Sequence, residues 1–154
     1  MTAKFYSLGI LALTAGAALA HGLTTPLIDP AGLKQELLKR RGKPVVVVFW
    51  NAASASDLAA LAKFKAKGIE VVTVAVEEKS RAAGALGKLG DAPGTFLNKS
   101  GEDFHPDYVR YLEPKLSDMD GAFLPRTYVL GRDGKVLRAL PGKGGPARAL
   151  ALVK

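Results

Sequence analysis

Val45-Val46-Val47-Val48-Phe49-Trp50-Asn51-Ala52-Ala53-Ser54-Ala55-Ser56-Asp57-Leu58 is the stretch whose reading decides the fold. A run of β-branched and aromatic residues with no polar alternation has the composition of a strand buried on both faces. Small polar residues follow at once, and then Leu58, Leu61 and Phe64 recur at helical spacing. The stretch therefore reads as a central strand, a tight turn, and a helix from about Ala55 to Lys67, closed by Gly68. In α/β sheets, sites are built at the carboxyl ends of such strands.

Working outward, the neighbours fit the same class. Asp29-Pro30 starts a helix, with Asp as cap and Pro in the first turn. Leu33, Leu37 and Leu38 give that helix an apolar face, and Lys39-Arg40-Arg41-Gly42 ends it. Downstream, Ile69 to Val76 reads as a second buried, parallel strand, which completes a right-handed βαβ unit. Ser80 to Leu89 is expected to be a crossover helix with Ala82, Ala83, Leu86 and Leu89 inward, weakened by Gly84 and Gly87. Residues 91–120 carry mostly turn signals, with a short helix expected from Pro106 to Glu113. Asn98-Lys99-Ser100 matches a glycosylation sequon, and Asp118 to Gly121 reads as a turn rather than a calcium loop. Two apolar runs around Asp133-Gly134 predict a β-hairpin. Gly142 to Gly145 reads as a loose linker, and Pro146 to Lys154 as one short closing helix that could leave one sheet face thinly covered.

Lys43-Pro44, the valine run, Phe49-Trp50 and the helix start together resemble the first half of the thioredoxin fold. They are most similar to the exported thioredoxin-like proteins of the TlpA/ResA kind. Pro125, just before the first hairpin strand, stands where that family has a cis-proline facing its Cys-x-x-Cys turn. A proline beside a strand needs such a special place. The resemblance implies an α/β fold, with a central mixed sheet and helices on both faces. It covers the chain from about Ala31 onward. Aligned on Phe49-Trp50, the family's two cysteines fall on Ser54 and Asp57, and the tryptophan before them falls on Ala53. Arg126 replaces the small polar residue that often follows the proline.

The chain contains no cysteine. A helix N-terminus can lower a thiol pKa enough to populate thiolate near neutral pH, but a serine hydroxyl starts far too high for the same field. With no thiol to attack a disulfide, dithiol–disulfide exchange and thiol peroxidase chemistry are excluded for this chain alone. Ser54-x-x-Asp57 instead reads as a variant capping box, worth about 1 kcal/mol. A serine nucleophile would need a base, and nothing in the sequence brings His21 or His105 to Ser54. The chain is accordingly expected not to be an enzyme.

The amino terminus has the pattern of a secretory signal: Lys4, an apolar stretch from Phe5 to Ala15, and Ala18-Leu19-Ala20. That stretch is short for a membrane span. Cleavage after Ala20 would remove 20 of the 154 residues and leave a single domain, 21–154, of 134 residues starting at His21. Loss of Lys4 would lower the formal charge from +8 to +7. The expected location is the periplasm or the outside of the cell, with no stable membrane span after cleavage. The basic residues are scattered and no aromatic-interleaved basic motif occurs, so nucleic acid is not an expected partner. A solvated surface, facing anionic membrane or acidic partners, fits the charge better.

Two functional expectations follow. The resemblance implies a groove between the helix-start turn and the proline loop that receives an extended peptide or a periplasmic protein. Its walls would be Trp50, Ala53, Ser54, Asp57, Leu124, Pro125 and Arg126. Replacement of tryptophan by Ala53 would widen it, and backbone groups beside Pro125 could pair with a bound chain. The alternative is a copper site, in which His21, as the mature terminus, would chelate Cu(II) together with His105. No other cofactor is expected.

Overall fold

The computed structural model describes residues 25–89, 94–99, 106–116 and 124–153. Along the chain run β1 (Leu27–Ile28), α1 (Pro30–Lys39), β2 (Val45–Trp50), a 3-10 segment (Ala52–Ala60) continuing into α2 (Leu61–Ala66), and β3 (Glu70–Ala75). There follow α3 (Lys79–Leu89), β4 (Thr95–Asn98), α4 (Pro106–Leu112), β5 (Arg126–Leu130), β6 (Val136–Pro141) and α5 (Gly145–Leu152). The strands form one six-stranded sheet in the order β1-β4-β3-β2-β5-β6. β1 to β4 are parallel, and β5 runs antiparallel to β2, with β6 antiparallel to β5. The fold is α/β with a mixed sheet, as the sequence predicts.

β2 sits in the middle, and all six of its residues are buried. Its side chains alternate between two cores. Val46, Val48 and Trp50 pack with Leu58, Leu61, Phe64, Leu86 and Ala149. Val45, Val47 and Phe49 pack on the other face with Leu33, Leu37, Tyr108 and Tyr128. Both faces of β2 are thus covered, with α5 packing over β5 on the first of them, while β6 at the sheet edge stays exposed. Each large side chain so buried contributes roughly 1.5–3 kcal/mol.

Two strands are not foreshadowed. β4 arises where the sequence shows mainly turn residues, and β1 is only two residues long. Both are held by groups distant in the chain. Leu97 N–H donates to Pro26 O at 2.9 Å, and Lys99 N–H donates to Ile28 O at 3.0 Å. The buried Tyr108 hydroxyl donates to Ile28 O at 2.6 Å. Desolvation pushes that hydroxyl's pKa up to about 12, so it stays protonated.

Candidate functional site

β2 ends at Trp50 beside the start of β5, because Phe49 pairs with Arg126, and β6 ends at the same pole, because Arg126 pairs with Pro141. Three loops therefore meet there: the turn after Trp50, the Leu124-Pro125 approach to β5, and Gly142–Gly144. The Leu124–Pro125 peptide bond is cis. Between the loops lies a groove of about 360 Å³ lined by Asn51, Ala53, Ser54, Ser56, Asp57, Leu124, Pro125 and Lys143.

Of the seven residues predicted to line a groove, Ala53, Ser54, Asp57, Leu124 and Pro125 come together. Trp50 does not. Period-2 alternation carries its ring into the core under the 3-10 segment, where it is fully buried. Arg126 also turns away. Its guanidinium is buried against Glu113 and Tyr128, with Nη2 donating to Glu113 Oε2 at 2.6 Å and Nε donating to Tyr128 Oη at 2.7 Å. Tyr128 in turn donates to Glu113 Oε2 at 2.6 Å. Burial alone would raise the Glu113 pKa, but the hydrogen bonds from Tyr128 and Arg126 and the Arg126 charge outweigh it and hold the carboxyl below its ordinary value. Burial and the Glu113 carboxylate raise the Tyr128 pKa. His21 and His105, the residues of the copper expectation, lie outside the described residues, as does the predicted leader.

The cap also differs from the predicted register. Asn51, not Ser54, is the N-cap: its Oδ1 accepts from Ser54 N–H at 3.0 Å, and Ser54 Oγ accepts from Asn51 N–H at 3.0 Å. The capping box is therefore Asn51-x-x-Ser54. The helical segment begins at Ala52 rather than near Ala55, and it begins as 3-10 helix. Asp57, freed from capping, reaches across to accept from Gly144 N–H at 3.1 Å. The Gly142–Gly145 stretch is consequently tied rather than loose: Gly142 N–H also donates to Pro125 O at 2.8 Å.

This geometry bears on chemistry. The helix N-terminus at the groove has its Ala52 and Ser54 N–H groups occupied by Glu77 and Asn51. Glu77, two residues past β3 and buried, places a carboxyl oxygen at the positive end of the helical segment. The Ser54 hydroxyl donates to Asn51 O at 3.1 Å while accepting from Asn51 N–H. It is engaged with backbone on both sides, and no base lies against it among the described contacts. Asn51, Ser56, Lys143 and Glu77 were not picked out from the sequence. An Asn three residues before Ser54 is a signal from which the cap could be found, whereas Glu77 reaches Ala52 only because β2 and β3 pair up to Trp50 and Ala75.

This arrangement can be set beside known proteins. No protein-family model matches the sequence, and none of the curated proteins is recognisably similar to it. Solved structures do match. A thioredoxin-family thiol:disulfide interchange protein from Chlorobium tepidum superposes with a TM-score of 0.55 at 18% identity, over 84% of this chain and 93% of that one. The thioredoxin domain of a thiol-disulfide oxidoreductase from Bacteroides vulgatus gives 0.53 at 21% identity, over 77% and 84%. A cysteine-to-serine variant of peroxiredoxin Q from Xanthomonas campestris gives 0.51 at 20% identity, over 74% and 79%. The fold is thioredoxin-like. At these identities the likeness concerns the backbone alone, and a thioredoxin-like fold does not carry an activity with it. Its thioredoxin-like neighbours are named for thiol chemistry, and this chain has no thiol.

Proposed function

We propose that this thioredoxin-like protein is a redox-inactive binding module, exported from the cytoplasm, that holds an extended segment of a partner polypeptide in the groove between the Ala53-Ser54 turn and Leu124-Pro125. The observation that carries the reading is the groove itself, about 360 Å³, with small Ala53 in its wall, at the position where the resemblance to TlpA/ResA-type proteins implies a tryptophan. Its rim mixes apolar Leu124, Pro125 and Ala53 with polar Asn51, Ser56 and Lys143, a composition suited to main-chain pairing with a tolerant choice of side chains. The engagement of Ser54 with backbone supports binding over covalent chemistry. No helix among the described residues is long and apolar enough to cross a membrane.

Absence of cysteine makes the test clean, because one introduced thiol is the only labelling site. A benzophenone placed on Ser56→Cys, at the groove rim, is irradiated with a reduced and carboxymethylated, extended polypeptide. The control label sits on Lys34→Cys, on the exposed part of α1. Adducts at position 56 that are absent at 34 and lost when Ala53→Trp fills the groove support the reading. Equal adducts at both positions, or adducts indifferent to Ala53→Trp, refute it. Export is tested separately by terminal sequencing of secreted protein, with His21 expected first.

A further inference from the structure

The pole opposite the groove carries a second surface. The β5–β6 turn projects there, since Val45, the first residue of β2, pairs with Leu130, the last of β5. Beyond the turn Leu137 is 55% exposed and Val136 36%. These two aliphatic side chains stand exposed at the tip of an edge strand, and apolar groups rimmed by polar ones mark protein or membrane contacts.

Here the rim is cationic. Arg132 and Lys135 lie in the turn, and Arg138 follows Leu137, its Nη1 donating to Leu137 O at 2.8 Å. Arg41 joins from the α1–β2 loop, which is fastened to the turn by Gly42 N–H donating to Arg132 O at 2.8 Å. A Cβ at Gly134 would lie only 3.5 Å from Arg41 Nε. All four cations are exposed, and among the described residues none has a salt bridge. Four cations at this pole stand against one exposed carboxylate in the turn, Asp133, and Glu70, which is already salt-bridged. Asp133 accepts from Lys135 N–H at 3.0 Å within the turn, and Glu70 meets Lys43 at 3.2 Å.

We infer that this hairpin tip docks on an anionic phospholipid surface, with Leu137 and Val136 entering the interface and Arg41, Arg132, Lys135 and Arg138 facing headgroup phosphates. Aliphatic residues flanked by cations suit a bilayer, where burial and surface charge act together. A nucleic acid or other polyanion would leave the aliphatic pair unused. Main-chain pairing with a second copy along β6 is hindered by Pro141, which has no N–H, and by arginines on two of its carbonyls: Arg138 on Leu137 O and Arg148 on Pro141 O, the latter at 2.7 Å. Because β2 runs from this pole to the groove pole, docking would turn the groove away from the bilayer, and the inference stands whether or not the groove binds a polypeptide.

The full chain is sedimented with vesicles of phosphatidylcholine alone or mixed with phosphatidylglycerol. The neutral vesicles report any contribution of the apolar Phe5–Ala15 stretch. Partitioning at least about tenfold stronger on the anionic vesicles, declining with salt, is expected. It should be lost in Arg41→Glu/Arg132→Glu, weakened in Leu137→Asp, and kept in Lys34→Glu/Lys79→Glu, which makes the same charge change elsewhere. Arg132→Glu/Lys135→Glu, confined to the exposed turn, serves if the first pair disturbs folding. Equal loss in both sets, which would mean net charge alone, overturns the inference. So does binding to heparin without vesicle selectivity, or a dimer that Leu137→Asp dissolves.

Discussion

Asp57 Oδ2 accepts a hydrogen bond from the backbone N–H of Gly144 at 3.1 Å, joining the helical segment after β2 to the loop before α5. The two residues are 87 positions apart, and the bond fixes one end of the groove. Asp57 is thus a structural tie between two loops of the groove.

Asp57→Ala should therefore cost about 1.5–3 kcal/mol in urea unfolding, the range for a lost hydrogen bond to a charged group. Asp57→Asn, which keeps an acceptor oxygen, should restore most of it. An Asp57→Asn variant as unstable as Asp57→Ala would show that the charge at the helical segment, not the tie to Gly144, is what matters.

The loop itself demands glycine twice. Gly144 has φ +75°, a left-handed conformation that costs a side-chain-bearing residue about 1–2 kcal/mol. At Gly145 the objection is space: a Cβ would sit 2.6 Å from Thr127 Oγ1 and 3.0 Å from Leu140 O. Gly145→Ala should lower stability by about 2 kcal/mol or more, because the fully buried Thr127 has no room to move aside and the Leu140 carbonyl is fixed in the sheet. Thermal unfolding followed by circular dichroism would measure it.

Thr127 Oγ1 is buried and has no hydrogen-bond partner among the described residues. Thr127→Val keeps the shape and removes an unpaired polar atom, so stability should rise by up to about 1 kcal/mol. A clear loss in urea unfolding would mean that the hydroxyl has a partner after all.

Acid should loosen the Arg126–Glu113–Tyr128 cluster. The folded Glu113 carboxyl titrates below its ordinary value of 4.5. Its contribution is therefore fully present above that value and is lost as pH falls through the lower, folded one. Glu113→Gln should be less stable than the parent by about 1–2 kcal/mol at pH 6, a figure kept small because the Glu113 side chain is 31% exposed. The gap should close as pH drops toward 3. A gap that widens in acid would reverse the assigned sign.

Local chemistry wrote much of this fold into the sequence. The valine run reads as a central strand, Asp29-Pro30 as a helix start and Asp133-Gly134 as a hairpin turn, and each forms as read because it rests on propensities acting within a few residues. The lack of any thiol was equally final, because no folding can supply an absent atom. Tertiary structure decided the rest. Whether Trp50 lines a groove or fills the core depends on which sheet face α2, α3 and α5 cover. Arg126 turns inward because Glu113, 13 residues earlier and just past α4, is carried beneath it, and β4 exists because it finds partners in both β1 and β3. A side chain's direction is set by its partner, and these partners are distant in the chain, where periodicity and turn signals carry no information.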